Sequence, residues 1–110
     1  MASKKVIWSI RAQQDRIAIL EYWINRNKSK TYSQKLYHLF NQAVDLIAEH
    51  PYIGRPTSYK NVKYKVVRKY QLFYEELEDR IEILLIWDSR RNPETLDKII
   101  KINKQAPTTE

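Results

Sequence analysis

Apolar residues along this chain change their spacing several times, and each change marks an element. Lys5-Val6-Ile7-Trp8-Ser9-Ile10 is β-branched and aromatic, which predicts a first strand. From Ala12 to Asn27 the spacing turns helical. Ile17, Leu20 and Ile24 recur at i, i+3 and i+7, Ile19 and Trp23 widen the stripe, and no Gly or Pro interrupts it. The polar run Asn25 to Ser29 ends this helix. A second helix is clearer still: Tyr32, Leu36, Leu39, Phe40, Ala43, Leu46 and Ile47 share one face over four turns. His50-Pro51 stops it, because proline disfavours helical geometry in the residue before it. Two helices joined by a few polar residues predict an antiparallel hairpin.

Beyond the Pro51-Tyr52-Ile53-Gly54-Arg55-Pro56 turn the period becomes that of strands. Lys63 to Arg68 alternates partly, Tyr70 to Glu75 follows, and Arg80 to Trp87 is apolar on both faces from Ile83 onward. A strand apolar on both faces is covered on each side and belongs in the middle of a sheet. The run from Pro93 to Lys104 fits a short helix, with proline at its start and Glu94 in the first turn. The expected architecture is therefore α+β: an N-terminal strand, an antiparallel helical hairpin, a mostly antiparallel twisted sheet and a short C-terminal helix. One domain is expected over residues 1–104, with 105–110 as a loose tail. Leu39, Phe40, Ala43, Leu46 and Ile47 are expected to pack on Ile83 and Leu85.

Composition narrows the chemistry. Cysteine is absent, which excludes disulfides, thiolate metal sites and cysteine nucleophiles. The single glycine, Gly54, excludes Gly-rich phosphate loops, and two histidines leave no His-rich metal set, so no metal and no cofactor are expected. No apolar run is long enough to span a bilayer, and Met1 to Ile10 lacks a signal-peptide core, so the reading is cytoplasmic, with no membrane partner. With 20 Lys and Arg against 13 Asp and Glu, the net charge of +7 favours acidic partners.

That charge is concentrated. Residues 55–70 hold Arg55, Lys60, Lys63, Lys65, Arg68 and Lys69 and no acid, with Tyr59, Tyr64 and Tyr70 interleaved. Lys63, Lys65 and Arg68 are expected on one exposed basic face of the sheet. Such a face holds phosphates while tyrosines stack on bases; equally, lysines guard a solvated edge strand. At the end of the last strand, Trp87-Asp88-Ser89-Arg90-Arg91-Asn92-Pro93 offers two arginines to clamp an anion, or to pair with Asp88 or the acids at 75–79. His38 and His50 are poor catalytic candidates, and no Ser/His/Asp spacing supports nucleophilic catalysis.

The β-α-α-β-β-β order, the Glu49 to Pro56 turn, the Tyr70-Gln71-Leu72-Phe73-Tyr74 strand and the Ile86 to Pro93 end resemble the RelE/ParE superfamily of bacterial type II toxins, over about residues 5–100. The resemblance implies a growth-inhibiting toxin, of a kind linked to plasmid stabilization, neutralised by a cognate antitoxin whose C-terminal segment wraps it. An acidic or amphipathic antitoxin covering the basic sheet is expected. RelE-like members cut mRNA on the ribosome without a metal; ParE-like members inhibit DNA gyrase. For the RelE-like activity the resemblance places Lys65, Arg68 and Arg91 as catalytic. Target or nucleic-acid binding falls to Arg55, Lys63, Lys65, Arg68, Tyr70, Arg90 and Arg91. Gln71 stands where the endonucleases carry an arginine, and Asp97 where they carry a tyrosine; neutral Gln71 clamps a pentavalent phosphate poorly. Both departures, with the long hairpin, favour the ParE-like reading. The alternatives are a ribosome-dependent endonuclease and a non-toxic nucleic-acid-binding module.

Overall fold

The computed structural model describes residues 3–105. The chain runs β1 (Lys5–Trp8), α1 (Ile10–Asn27), α2 (Thr31–Glu49), a 3-10 turn (Pro51–Ile53), β2 (Arg55–Pro56), β3 (Val62–Val67), β4 (Tyr70–Glu76), β5 (Arg80–Asp88) and α3 (Pro93–Gln105). This is the α+β order that the spacing predicts, with a two-residue edge strand added. Gln105, expected to begin the loose tail, instead ends α3, and the rest of that tail, 106–110, lies outside the described residues.

Ser9 starts α1: its Oγ accepts the Ala12 N–H at 2.9 Å and donates to the Leu84 carbonyl at 2.7 Å, tying the helix start to β5. Lys28, in the left-handed region with φ 55°, ends the helix. The face that α1 buries differs from the expected one. Ala12, Ile19, Leu20 and Trp23 meet the core, whereas Ile17 is 56% exposed. On α2 the buried line is Leu36, Phe40, Ala43, Val44 and Ile47, with Leu39 packed at its side; Leu46 is 42% exposed. Successive residues turn by about 100°, so Leu46 is carried off the face on which Ile47 sits.

The sheet order is β1-β5-β4-β3-β2, with β1 parallel to β5 and every other pair antiparallel. As its two-sided apolarity predicts, β5 is an inner strand. A bulge interrupts it: Phe73 faces Leu85 and Tyr74 faces Ile83, leaving Leu84 without a partner on β4. The alternation therefore slips by one residue. Ile81, Ile83 and Ile86 pack under the helical hairpin, whereas Leu84, Leu85 and Trp87 pack with Val62, Phe73 and Ile100 under α3. Leu85 thus lies across the sheet from the α2 residues it was expected to meet. Two apolar layers, one on each face, hold the sheet.

The turn before β2 is fixed by a close approach. Tyr74 Oη accepts the Gly54 N–H at 2.9 Å and donates to the Pro51 carbonyl at 2.7 Å. A Cβ on Gly54 would lie 2.8 Å from Tyr74 Cε1, so only glycine fits.

Candidate functional site

The basic residues of the sequence do not share one face. Lys63 and Lys65 are half-buried and lie on the hairpin side of β3, in line with Val67. Arg55 pairs with Tyr64 across the β2–β3 ladder and so stands on the opposite face, the one that Tyr64 shares with Phe73. Arg68 is not on the strand at all. Val67 pairs with Tyr70, which leaves Arg68 and Lys69 as a two-residue hairpin loop, and Arg68 takes φ 57°. A positive φ at that position is glycine's preference, and a side chain there costs about 1–2 kcal/mol.

A second pair of arginines joins this loop. The Lys69 carbonyl accepts both the Ser89 N–H (3.0 Å) and the Ser89 Oγ–H (2.7 Å), so the Arg68–Lys69 turn is stitched to the segment that follows β5. Arg90 is not free there: its Nε and Nη2 reach the two Asp88 oxygens at 3.0 and 2.7 Å, and this bond holds the Asp88 carboxyl below its ordinary value. Arg91 lies over the Trp87 ring at 4.5 Å from its centroid. Arg68, Lys69 and Arg91 are thus the cations that this corner of the sheet presents.

Tyr70 does not offer a stacking plane. It is 4% exposed, its ring is edge-on to Phe40, and its Oη accepts the Trp23 indole N–H at 2.8 Å. Asp97, at the position of interest in the C-terminal helix, accepts a hydrogen bond from Tyr59 Oη at 2.5 Å; that bond pushes the Tyr59 phenol up to about 12. Gln71 faces away from the lysines, one residue out of phase with Tyr70 and Leu72 of the hairpin layer.

Two clefts flank these residues. One, of about 290 Å³, lies between α1 and the end of β5, lined by Asp15, Ile19, Tyr22, Ile86, Asp88 and Arg91. Asp15 closes its floor: it accepts the Ile86 N–H at 3.0 Å and the Arg11 Nε–H at 2.8 Å, while burial raises its pKa above the ordinary value. The other cleft, also about 290 Å³, is a groove between α2 and β3, with Leu39, Ala43 and Leu46 on one side and Lys65, Val67 and Arg68 on the other. Among the described residues no cluster of three His, Cys, Asp or Glu side chains could hold a metal ion. No described helix is long and apolar enough to cross a membrane.

A family profile described as the ParE toxin of type II toxin-antitoxin system, parDE, matches residues 6–93. The chain belongs to the ParE toxin family. A solved structure described as the chromosomal ParDE TA system from P. aeruginosa shares the fold, with a TM-score of 0.69 and 17% identity over 78% of this chain and 96% of that one. Among curated proteins no significant match is found. This ParE-family chain is the toxin of a type II toxin–antitoxin pair, and its partner is a cognate antitoxin.

Charge counting alone could not place the toxin's cations, because it is blind to pairing. It also passes over Asp15 and the α2–β3 groove. Asp15 carries a legible signal, since it falls between Ala12 and Ile19 on the inward line of α1. The groove carries none, because Leu46 reads as one more core residue.

Proposed function

We propose that this toxin arrests growth by inhibiting DNA gyrase and cleaves no RNA itself. One observation carries the reading: the groups that mRNA cleavage would need are dispersed. Lys63 and Lys65 lie on the hairpin side of the sheet, Gln71 on the other. Arg90 is neutralised by Asp88, and Asp97 is engaged by Tyr59. In-line attack by a 2′-hydroxyl needs a base and a cationic clamp converging on one phosphate, and this arrangement converges on none. Inhibition by binding asks only for a surface. The outer side of the hairpin offers one, where Ile17 and Tyr37 stand exposed beside a groove lined by Leu20, Ile24 and Ser33.

The test is expression without antitoxin, read by gyrase supercoiling and by ribosomal mRNA cleavage. The parent should inhibit supercoiling and leave mRNA intact. Lys65→Ala/Arg91→Ala should still arrest growth, while Ile17→Asp should lose gyrase inhibition. Codon-level mRNA cleavage by the parent, abolished in the double variant, would make the protein an endonuclease instead.

A further inference from the structure

The cleft between α1 and the end of β5 holds a carboxylate that its own neighbours use only in part. Asp15 lies on the floor with 14% of its side chain exposed. Its Oδ1 accepts the Arg11 Nε–H and its Oδ2 the Ile86 N–H, so each oxygen keeps a further acceptor position. Burial outweighs these two bonds and raises the carboxyl's pKa, so two more donors would stabilise its charged form. Asp88, the other carboxylate of the cleft, is closed to a ligand, because Arg90 takes both of its oxygens. Between the polar groups the lining is apolar, supplied by Ala18, Ile19, Ile86 and the half-exposed Tyr22 ring. Arg91 also lines the cleft, and it has no carboxylate partner among the described residues. Its guanidinium lies over the Trp87 ring, near enough to act on Asp15 and Asp88 alike.

We propose that this cleft binds a guanine nucleotide. The two remaining acceptors of one carboxylate call for two donors side by side, and the guanine edge presents such a pair, N1–H beside the N2 amino group. Adenine offers one amino donor next to an acceptor, which would face a carboxylate oxygen with no hydrogen between them. The purine ring lies against Tyr22, Ile19 and Ile86, and the phosphate meets Arg91. At about 290 Å³ the cleft is at the small end of ligand sites, with room for one nucleotide and not for a run of bases. The ligand is therefore a free nucleotide. The cleft is separate from the hairpin groove proposed to meet gyrase, and its occupant does not depend on that target.

Calorimetric titration of the isolated toxin with guanosine, inosine and adenosine monophosphate (GMP, IMP and AMP) tests it. GMP should bind most tightly. IMP, which lacks the amino group, should bind about fivefold to tenfold more weakly, and AMP more weakly again. Asp15→Asn keeps an acceptor for the Ile86 N–H but turns a donor toward the base. It should lose about tenfold to a hundredfold in GMP affinity and level the ranking. Tyr22→Ala should weaken all three nucleotides about tenfold. Arg91→Ala should weaken them alike and lower the salt dependence of binding. In NMR spectra the Ile86 amide should shift when GMP is added. Equal affinity for GMP and AMP would overturn the proposal, as would a ranking that survives Asp15→Asn or an Ile86 amide that GMP leaves unmoved. So would inorganic phosphate that competes as well as GMP, which would reduce the cleft to an anion contact. A guanine tetranucleotide should bind no tighter than GMP; tighter binding would overturn the proposal by giving the cleft to single-stranded nucleic acid. The ranking is read on the parent, so it decides the matter even where Asp15→Asn fails to fold.

Discussion

Asp15 and Asp88 stand on either side of the same cleft and respond to acid in opposite senses. Asp88, held low by Arg90, contributes stability that is lost as pH falls below its ordinary value of 3.8. Asp15, raised chiefly by burial, holds its proton more tightly folded than unfolded, so its contribution is present at low pH and lost as pH rises from 3.8 through the folded value. Asp15→Asn fixes the uncharged form while its side-chain oxygen still accepts the Ile86 N–H. The stability of this variant relative to the parent should therefore move in the variant's favour as pH rises from ~3 to ~7. Paired thermal melts across that range check it; a difference that ignores pH would show the carboxyl to be solvated. Gly54 is limited by space instead of charge. Its φ is an ordinary −70°, so the argument is the buried Tyr74 ring, and Gly54→Ala should cost about 1–3 kcal/mol in a denaturant melt.

Helix α2 shows how far an element can be read from periodicity and where reading stops. Its length, its end at His50-Pro51 and its apolar side are all legible, because seven apolar residues recur with helical spacing. Its exact rotation is not, because an apolar stripe is more than 100° wide and both flanks of it look alike in sequence. Leu46 and Ile47 separate the two rotations. Ile47, fully buried, should cost about 2–5 kcal/mol on truncation to alanine, whereas half-exposed Leu46 should cost less than about 1 kcal/mol. Equal losses at the two positions would place the helix in the rotation expected from sequence. The bulge in β5 was hidden for a different reason. From Ile83 to Trp87 every residue is apolar, so no polar position reveals that the alternation has slipped at Leu84. The central place of β5 was legible from that same run.

For the molecule as a whole, the basic character of the β3 side was legible in the acid-free run from Arg55 to Tyr70, but its geometry was not. Sequence places Arg55, Lys63 and Lys65 in one acid-free run, and the pairing of Arg55 with Tyr64 then sets it on the face opposite the two lysines. The Ser89 stitch makes the reverse connection, joining Lys69 to a segment twenty residues on. Neither effect leaves a trace in composition. The edge of β3 that two-residue β2 leaves uncovered also governs how the toxin behaves when nothing covers it. Identical copies would then carry the same bare strand, a ready template for edge-to-edge stacking. Lys63 and Lys65 stand in line beside it, so two such edges meet positive against positive. That repulsion fades over about 8 Å at physiological salt, so the bare toxin stays dispersed in dilute buffer and loses solubility as ionic strength climbs. The same two lysines thus turn one bare edge away from another.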